Sequence, residues 1–185
     1  MAVVGKIAKT PHHQYMNSTH TSLATAMDLP GYLVGGAMLL VVMVFHGAIL
    51  LQIAKRYEAK TFLYLSHQQY SKVGFYFYIS ILCLFLTHLA EILLWGLALY
   101  GLKLLPALGQ SILFSGSTYT AMGFMEDILP EGWKMLAVII AFSGMFAFAW
   151  TASVMISMTK NFRQAYTKLH MKKLNVSSDI IDRFE

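Results

Sequence analysis

Ala107–Met125 reads ALGQSILFSGSTYTAMGFM, a stretch without a single charged side chain, set between two much longer apolar runs. A helical crossing of a bilayer needs about 20 predominantly apolar residues. This stretch carries Gly109, Ser111, Ser115, Gly116, Ser117, Thr118 and Thr120, so it is too polar as well as too short for a full span. Its length suits half a crossing as a short helix, followed by a return in extended backbone. Non-helical backbone survives at membrane depth only where protein buries it or where it lines a water-filled cavity. The expectation is therefore a re-entrant segment, and a pore loop is its economical form.

Composition agrees with a membrane setting. The 185 residues are 57% hydrophobic and only 12% charged, with a mean hydropathy of +0.56, against about 25% charged residues in a typical soluble domain. The first 30 residues are polar and the first apolar run is too long for the core of a signal peptide, so none is expected. The single Cys83 rules out an internal disulfide. Net charge is +5, but the basic residues sit beside apolar runs, which argues against nucleic-acid binding.

Working outward, the chain divides into a polar arm (1–28), a first transmembrane helix (29–54), a basic loop (55–72), a second helix (73–105), the re-entrant pore-loop segment (106–129), a third helix (130–159) and a basic tail (160–185). Gly35, Gly36 and Gly47 in the first helix permit close helix approach. Phe75, Tyr76, Phe77 and Tyr78 open the second helix as an interface belt, and Pro130 with Trp133 marks the start of the third. The tail can extend the third helix, since Phe162, Ala165, Tyr166, Leu169 and Met171 recur at roughly helical spacing, or its basic residues can equally rest on anionic headgroups. Lys55, Arg56, Lys60 and Lys72 flank one side of the spans, joined by Lys160, Arg163, Lys168, Lys172, Lys173 and Arg183. The positive-inside rule then places the C-terminus in the cytoplasm and the N-terminus outside, in a multi-pass protein of the cell's inner (plasma) membrane.

The run Ser115–Asp127, SGSTYTAMGFMED, followed by ILPEGW at 128–133, resembles the pore loop of the bacterial two-transmembrane potassium-channel-like family. The likeness runs from Thr87 to Thr159, leaving the first span as an addition. It implies an all-α membrane protein with three transmembrane helices plus a re-entrant pore helix and filter loop, assembled as a fourfold homotetramer in which carbonyl rings replace the ion's hydration shell. Thr120, Ala121, Met122, Gly123, Phe124 and Met125 would then form the selectivity filter, and Glu126 and Asp127 an acidic outer vestibule. Met125 stands where the family has its second filter glycine, and a methionine lacks the backbone freedom that glycine supplies there. The implied pore is thus non-standard in its outermost ring. Gly144, near the middle of the third helix, matches the family's gating hinge, with close packing against a neighbouring helix as the alternative.

His88 and Glu91 lie mid-span, three residues apart and so on one face, with Trp95 four further on. Intramembrane ionisable groups are costly and mark functional sites. One reading is structural support of the pore helix, another is ion or proton sensing. A third is a metal site, for which the His-x-x-Glu pair offers only two ligands and His46 is the one other buried candidate. His12, His13 and His20 belong to a polar arm. No nucleophile–base pair, phosphate loop or carboxylate pair argues for an enzyme, and no cofactor or resident metal is expected. The leading expectation is passive conduction of monovalent cations, potassium among them, with the bilayer and other copies of the chain as partners. The alternatives are a non-conducting scaffold or accessory subunit with the same fold, and an intramembrane proton- or metal-sensing protein built on His46, His88 and Glu91.

Overall fold

A computed structural model describes residues 29–123 and 128–173. Over these residues the chain forms four helices and no strand: α1 (Leu29–Ser66), α2 (Tyr70–Gly101), α3 (Leu108–Tyr119) and α4 (Met135–Lys173). α1, α2 and α4 are each long and apolar enough to cross a membrane. At 1.5 Å per residue the 12 residues of α3 rise about 18 Å, well short of a hydrocarbon core of about 30 Å. The protein is a helical membrane protein with three candidate spans and one half-length helix.

α1 does not stop at Ala54. It continues for another three turns through the basic stretch, so most of the expected 55–72 loop is helical. No glycine or proline interrupts Ala54–Ser66, and Ala54, Lys55, Arg56, Glu58, Ala59 and Lys60 are good helix formers. Tyr57 and Thr61 in this extension are buried, and Tyr57 donates a hydrogen bond to the Met158 carbonyl of α4 at 3.0 Å. Tertiary contact thus carries the helix past the end of its apolar run. α4 likewise runs on to Lys173, and Phe162 in its extension stacks on Phe77 with ring centroids 4.6 Å apart. These contacts bring the basic ends of α1 and α4 to the same end of the bundle.

The helices end in one recurring way. After α1, α2 and α3 the chain takes a left-handed residue, Gln68, Lys103 or Ala121 respectively. In each case that residue and the next donate back to the helix, as with Ala121 N–H to Thr118 O at 2.9 Å and Met122 N–H to Ser117 O at 2.9 Å. This is the Schellman arrangement, which glycine usually occupies. Gln69 closes the cap of α1 and also precedes α2, so the two helices form a tight antiparallel hairpin.

Burial on α2 falls at Val73, Phe77, Ser80, Leu84, Thr87, His88, Glu91, Trp95 and Leu99, a stripe of three- and four-residue steps. That stripe packs against each of the other helices, and α3 packs against α2 and α4. One apolar cluster joins Val42, Trp95, Leu99, Phe114, Tyr119, Leu136 and Ile140, and a second joins Leu50, Tyr57, Phe77, Leu84 and Met158. Only 28–33% of the residues in the apolar windows of the spans are buried within the chain, so most of their surface is left for lipid or further protein.

A candidate functional site buried among the helices

The polar residues of the stripe meet between the two apolar clusters. α1 brings His46, α2 brings His88 and Glu91, α3 brings Tyr119 at its last position, and α4 brings Thr151. All are buried, Glu91 and Tyr119 completely. His46 Nδ1 lies 2.6 Å from Glu91 Oε1, and the Tyr119 hydroxyl donates to Glu91 Oε2. His88 Nδ1 lies 2.8 Å from the same hydroxyl. Thr151 Oγ1 is 3.1 Å from His88 Nε2 and 3.4 Å from His46 Nε2. Followed in order, His46, Glu91, Tyr119, His88 and Thr151 form a closed cycle of hydrogen-bonded side chains.

The donors and acceptors of this cycle can be counted. Tyr119 uses its one proton on Glu91, so His88 must donate from Nδ1 to the phenol oxygen. A neutral His88 then accepts at Nε2 from the Thr151 hydroxyl, whose oxygen accepts in turn from His46 Nε2–H. The last contact, His46 Nδ1 to Glu91 Oε1, needs one proton, held by the carboxyl or by the imidazole. Either placement leaves the cycle with net charge zero and every contact filled once. An uncompensated charge in a low-dielectric interior is costly, and the closed neutral cycle avoids it. Removing a proton would set two acceptors face to face at one of the five contacts, and adding one would leave an uncompensated positive charge in the interior.

Aromatic side chains cover the cycle. Phe148 stacks on His88 with ring centroids 4.5 Å apart, and Trp150 lies 5.7 Å from His46. Gly47 of α1 admits that indole, since a Cβ there would fall 2.7 Å from Trp150 Cη2. Trp95 does not join the cycle. Its Nε1–H donates to Ser143 Oγ of α4 at 3.0 Å, a separate tie between the same helices.

Tyr119 is held at both ends. Its hydroxyl sits in the cycle, while its carbonyl oxygen lies so close to Gly144 that a Cβ there would be 2.0 Å away. The glycine singled out as a hinge is thus the point at which the end of α3 meets α4. Beyond Tyr119, Thr120, Ala121, Met122 and Gly123 are exposed. Thr120 Oγ1 donates to the Gly116 carbonyl at 2.8 Å, leaving its own lone pairs open. Gly123 also has positive φ, two positions after Ala121. Phe124, Met125, Glu126 and Asp127 lie outside the described residues.

Sequence reasoning singled out His88, Glu91 and His46 but missed Tyr119 and Thr151. A signal for Thr151 was present: Ser143, Ala147 and Thr151 repeat every four residues along one face of α4. Tyr119 carried none beyond being an aromatic within a run of small polar residues. No family model, curated protein or solved structure matches the chain.

Proposed function

We propose that this chain is the subunit of a homotetrameric pore-loop cation channel, with Thr120–Gly123 as the described part of its filter and the basic ends of α1 and α4 in the cytoplasm. One observation carries the reading. A 12-residue helix stands between two full-length candidate spans, and it ends in an exposed T-A-M-G segment although Tyr119, immediately before it, is fully buried. A single loop cannot enclose an axis, so conduction requires four copies to bring these segments together. The apolar surface that each chain leaves uncovered is available for that contact. The C-terminal pole of α3 carries partial negative charge with no basic residue in its last turn, which favours a cation beside Thr120.

His88 and Glu91 serve this function by fixing Tyr119 and hence the end of α3. The test is purified protein in liposomes, with subunit stoichiometry measured alongside cation flux. Tetramers that pass potassium or sodium are the expected result. Monomers or dimers would overturn the reading, and intact tetramers without flux under every pH and voltage tried would leave a scaffold. Met125→Gly is expected to raise potassium preference. Unchanged selectivity in a conducting protein would refute the alignment of Met125 with the missing glycine.

A further inference from the structure

We propose that His46, His88 and Glu91, with the Tyr119 hydroxyl oxygen as fourth donor, bind one divalent transition-metal ion of the Zn2+ class, joining α1, α2 and α3 at a single point. The three side chains each offer a ligand atom, and these atoms lie within 4.8 Å of one another. With metal–ligand bonds of about 2.0–2.1 Å, tetrahedral ligands sit about 3.3 Å apart, so an entering ion must draw the wider pairs of the set inward and open the 2.6 Å His46–Glu91 and 2.8 Å His88–Tyr119 contacts by about half an ångström. The donors converge from well-separated positions: His46 is 45 residues before Glu91, and Tyr119 is 28 after it. Short-range sequence spacing therefore does not reveal the set.

The orientation of the imidazoles supports the assignment. Both present Nδ1 to the oxygens of Glu91 and Tyr119, and both turn Nε2 to the same atom, Thr151 Oγ1. Metal-bound histidines characteristically donate their second N–H to an outer partner that fixes tautomer and ring angle. Thr151 occupies that position for two histidines at once.

The proton balance closes. The neutral cycle holds five protons across its five contacts. In the loaded site three remain, on His46 Nε2, His88 Nε2 and the Thr151 hydroxyl. The last is then free to donate to the carbonyl one turn back, as helical threonines do. Two protons leave, formally those of Glu91 and Tyr119, as one divalent ion enters. Net charge is zero before and after, which is what a site in apolar surroundings requires. Two imidazole nitrogens with carboxylate and phenol oxygens suit Zn2+, Co2+ or Fe2+. Ca2+ and Mg2+ demand six or more oxygen donors, and Cu(I) prefers sulfur, so these are excluded. Phe148, whose ring stacks on His88, is itself 43% exposed and is the outermost of the side chains described over the histidines.

The test uses the full-length, tag-free chain with His12, His13 and His20 replaced by glutamine, which removes the imidazoles of the arm. The protein is stripped with a chelator and titrated with Zn2+, and metal content is measured after desalting. One ion per chain is expected. Glu91→Gln and His46→Gln are each expected to weaken binding by about 100-fold or more, and Thr151→Val by about 10- to 100-fold. His67→Gln, at an exposed turn, should change nothing. Co2+ in place of Zn2+ should give the intense visible bands of a four-coordinate ion. That spectrum carries the test if a ligand variant does not fold. Substoichiometric uptake by the unmutated site, a six-coordinate Co2+ spectrum, or full uptake by folded Glu91→Gln and His46→Gln proteins would each overturn the proposal. The measurement needs no ion flux, so it stands or falls separately from the channel reading.

Discussion

Gly144→Ala separates a hinge from a packing contact. The added Cβ would lie 2.0 Å from the Tyr119 oxygen, 2.8 Å from its carbonyl carbon and 3.0 Å from its Cγ. A carbon–oxygen contact settles at about 3.3 Å, so the end of α3 must retreat by about 1.3 Å. That atom is backbone and cannot rotate away. The retreat also draws the Tyr119 hydroxyl from Glu91 and His88, where a 2.8 Å contact cannot absorb such a shift. Overpacking at the upper end of its range contributes about 2–3 kcal/mol. A weakened buried hydrogen bond adds about 1–2 kcal/mol. Alanine's better helix propensity returns about 1 kcal/mol, so the net loss is about 3 kcal/mol. For a chain of this size that corresponds to a fall in Tm of roughly 6–12 °C. Thermal unfolding in detergent, followed by the loss of monodisperse protein on size exclusion, measures it. Gly36→Ala is the control, since nothing lies within 4 Å of a Cβ there, and it should be neutral or slightly stabilising. A Gly144→Ala protein that melts with the wild type would refute the packing argument and return the residue to the role of a free hinge.

Other expected outcomes follow from the same geometry. Tyr119→Phe opens the cycle and leaves His88 Nδ1–H without its acceptor, so it should destabilise by about 1–3 kcal/mol. Tyr57→Phe, which removes a single bond to the Met158 carbonyl, should cost about 1 kcal/mol in the same assay. Equal effects of the two would argue against a cooperative cycle. Ala121→Gly relieves a left-handed alanine at the cap of α3 and should raise stability by about 1 kcal/mol, whereas a loss would mean that the cap is not formed. Ser115 Oγ is buried and has no hydrogen-bond partner among the described residues, so Ser115→Ala should be neutral or stabilising. Marked destabilisation would reveal a partner for that hydroxyl.

Much of the architecture was legible in the chain. Three long apolar runs announce three candidate spans, and the uncharged polar stretch between the second and third announces a helix too short to cross. His88 and Glu91, spaced for one helical face, do share the buried stripe of α2. The extent of α1 was not legible, because the hydrophobic run ends at Ala54 while the helix continues to Ser66. What holds that extension is Tyr57 reaching Met158, a contact 101 residues away. The ends of the helices were equally obscure, since Gln68, Lys103 and Ala121 occupy positions that glycine would have advertised.

The amino-acid sequence by itself determined the solvent this protein lives in, the number of its long apolar helices and the face on which its buried ionisable groups lie. Those properties depend on composition and on a period of 3.6 residues, both of which are local. Only the tertiary structure decided that His46, Glu91, Tyr119, His88 and Thr151 close on one another, and that Gly144 receives the end of α3. Periodicity states that a side chain points inward but not what it meets there. The meeting depends on how four helices settle against one another, where a shift of a single ångström separates a hydrogen bond from an empty contact.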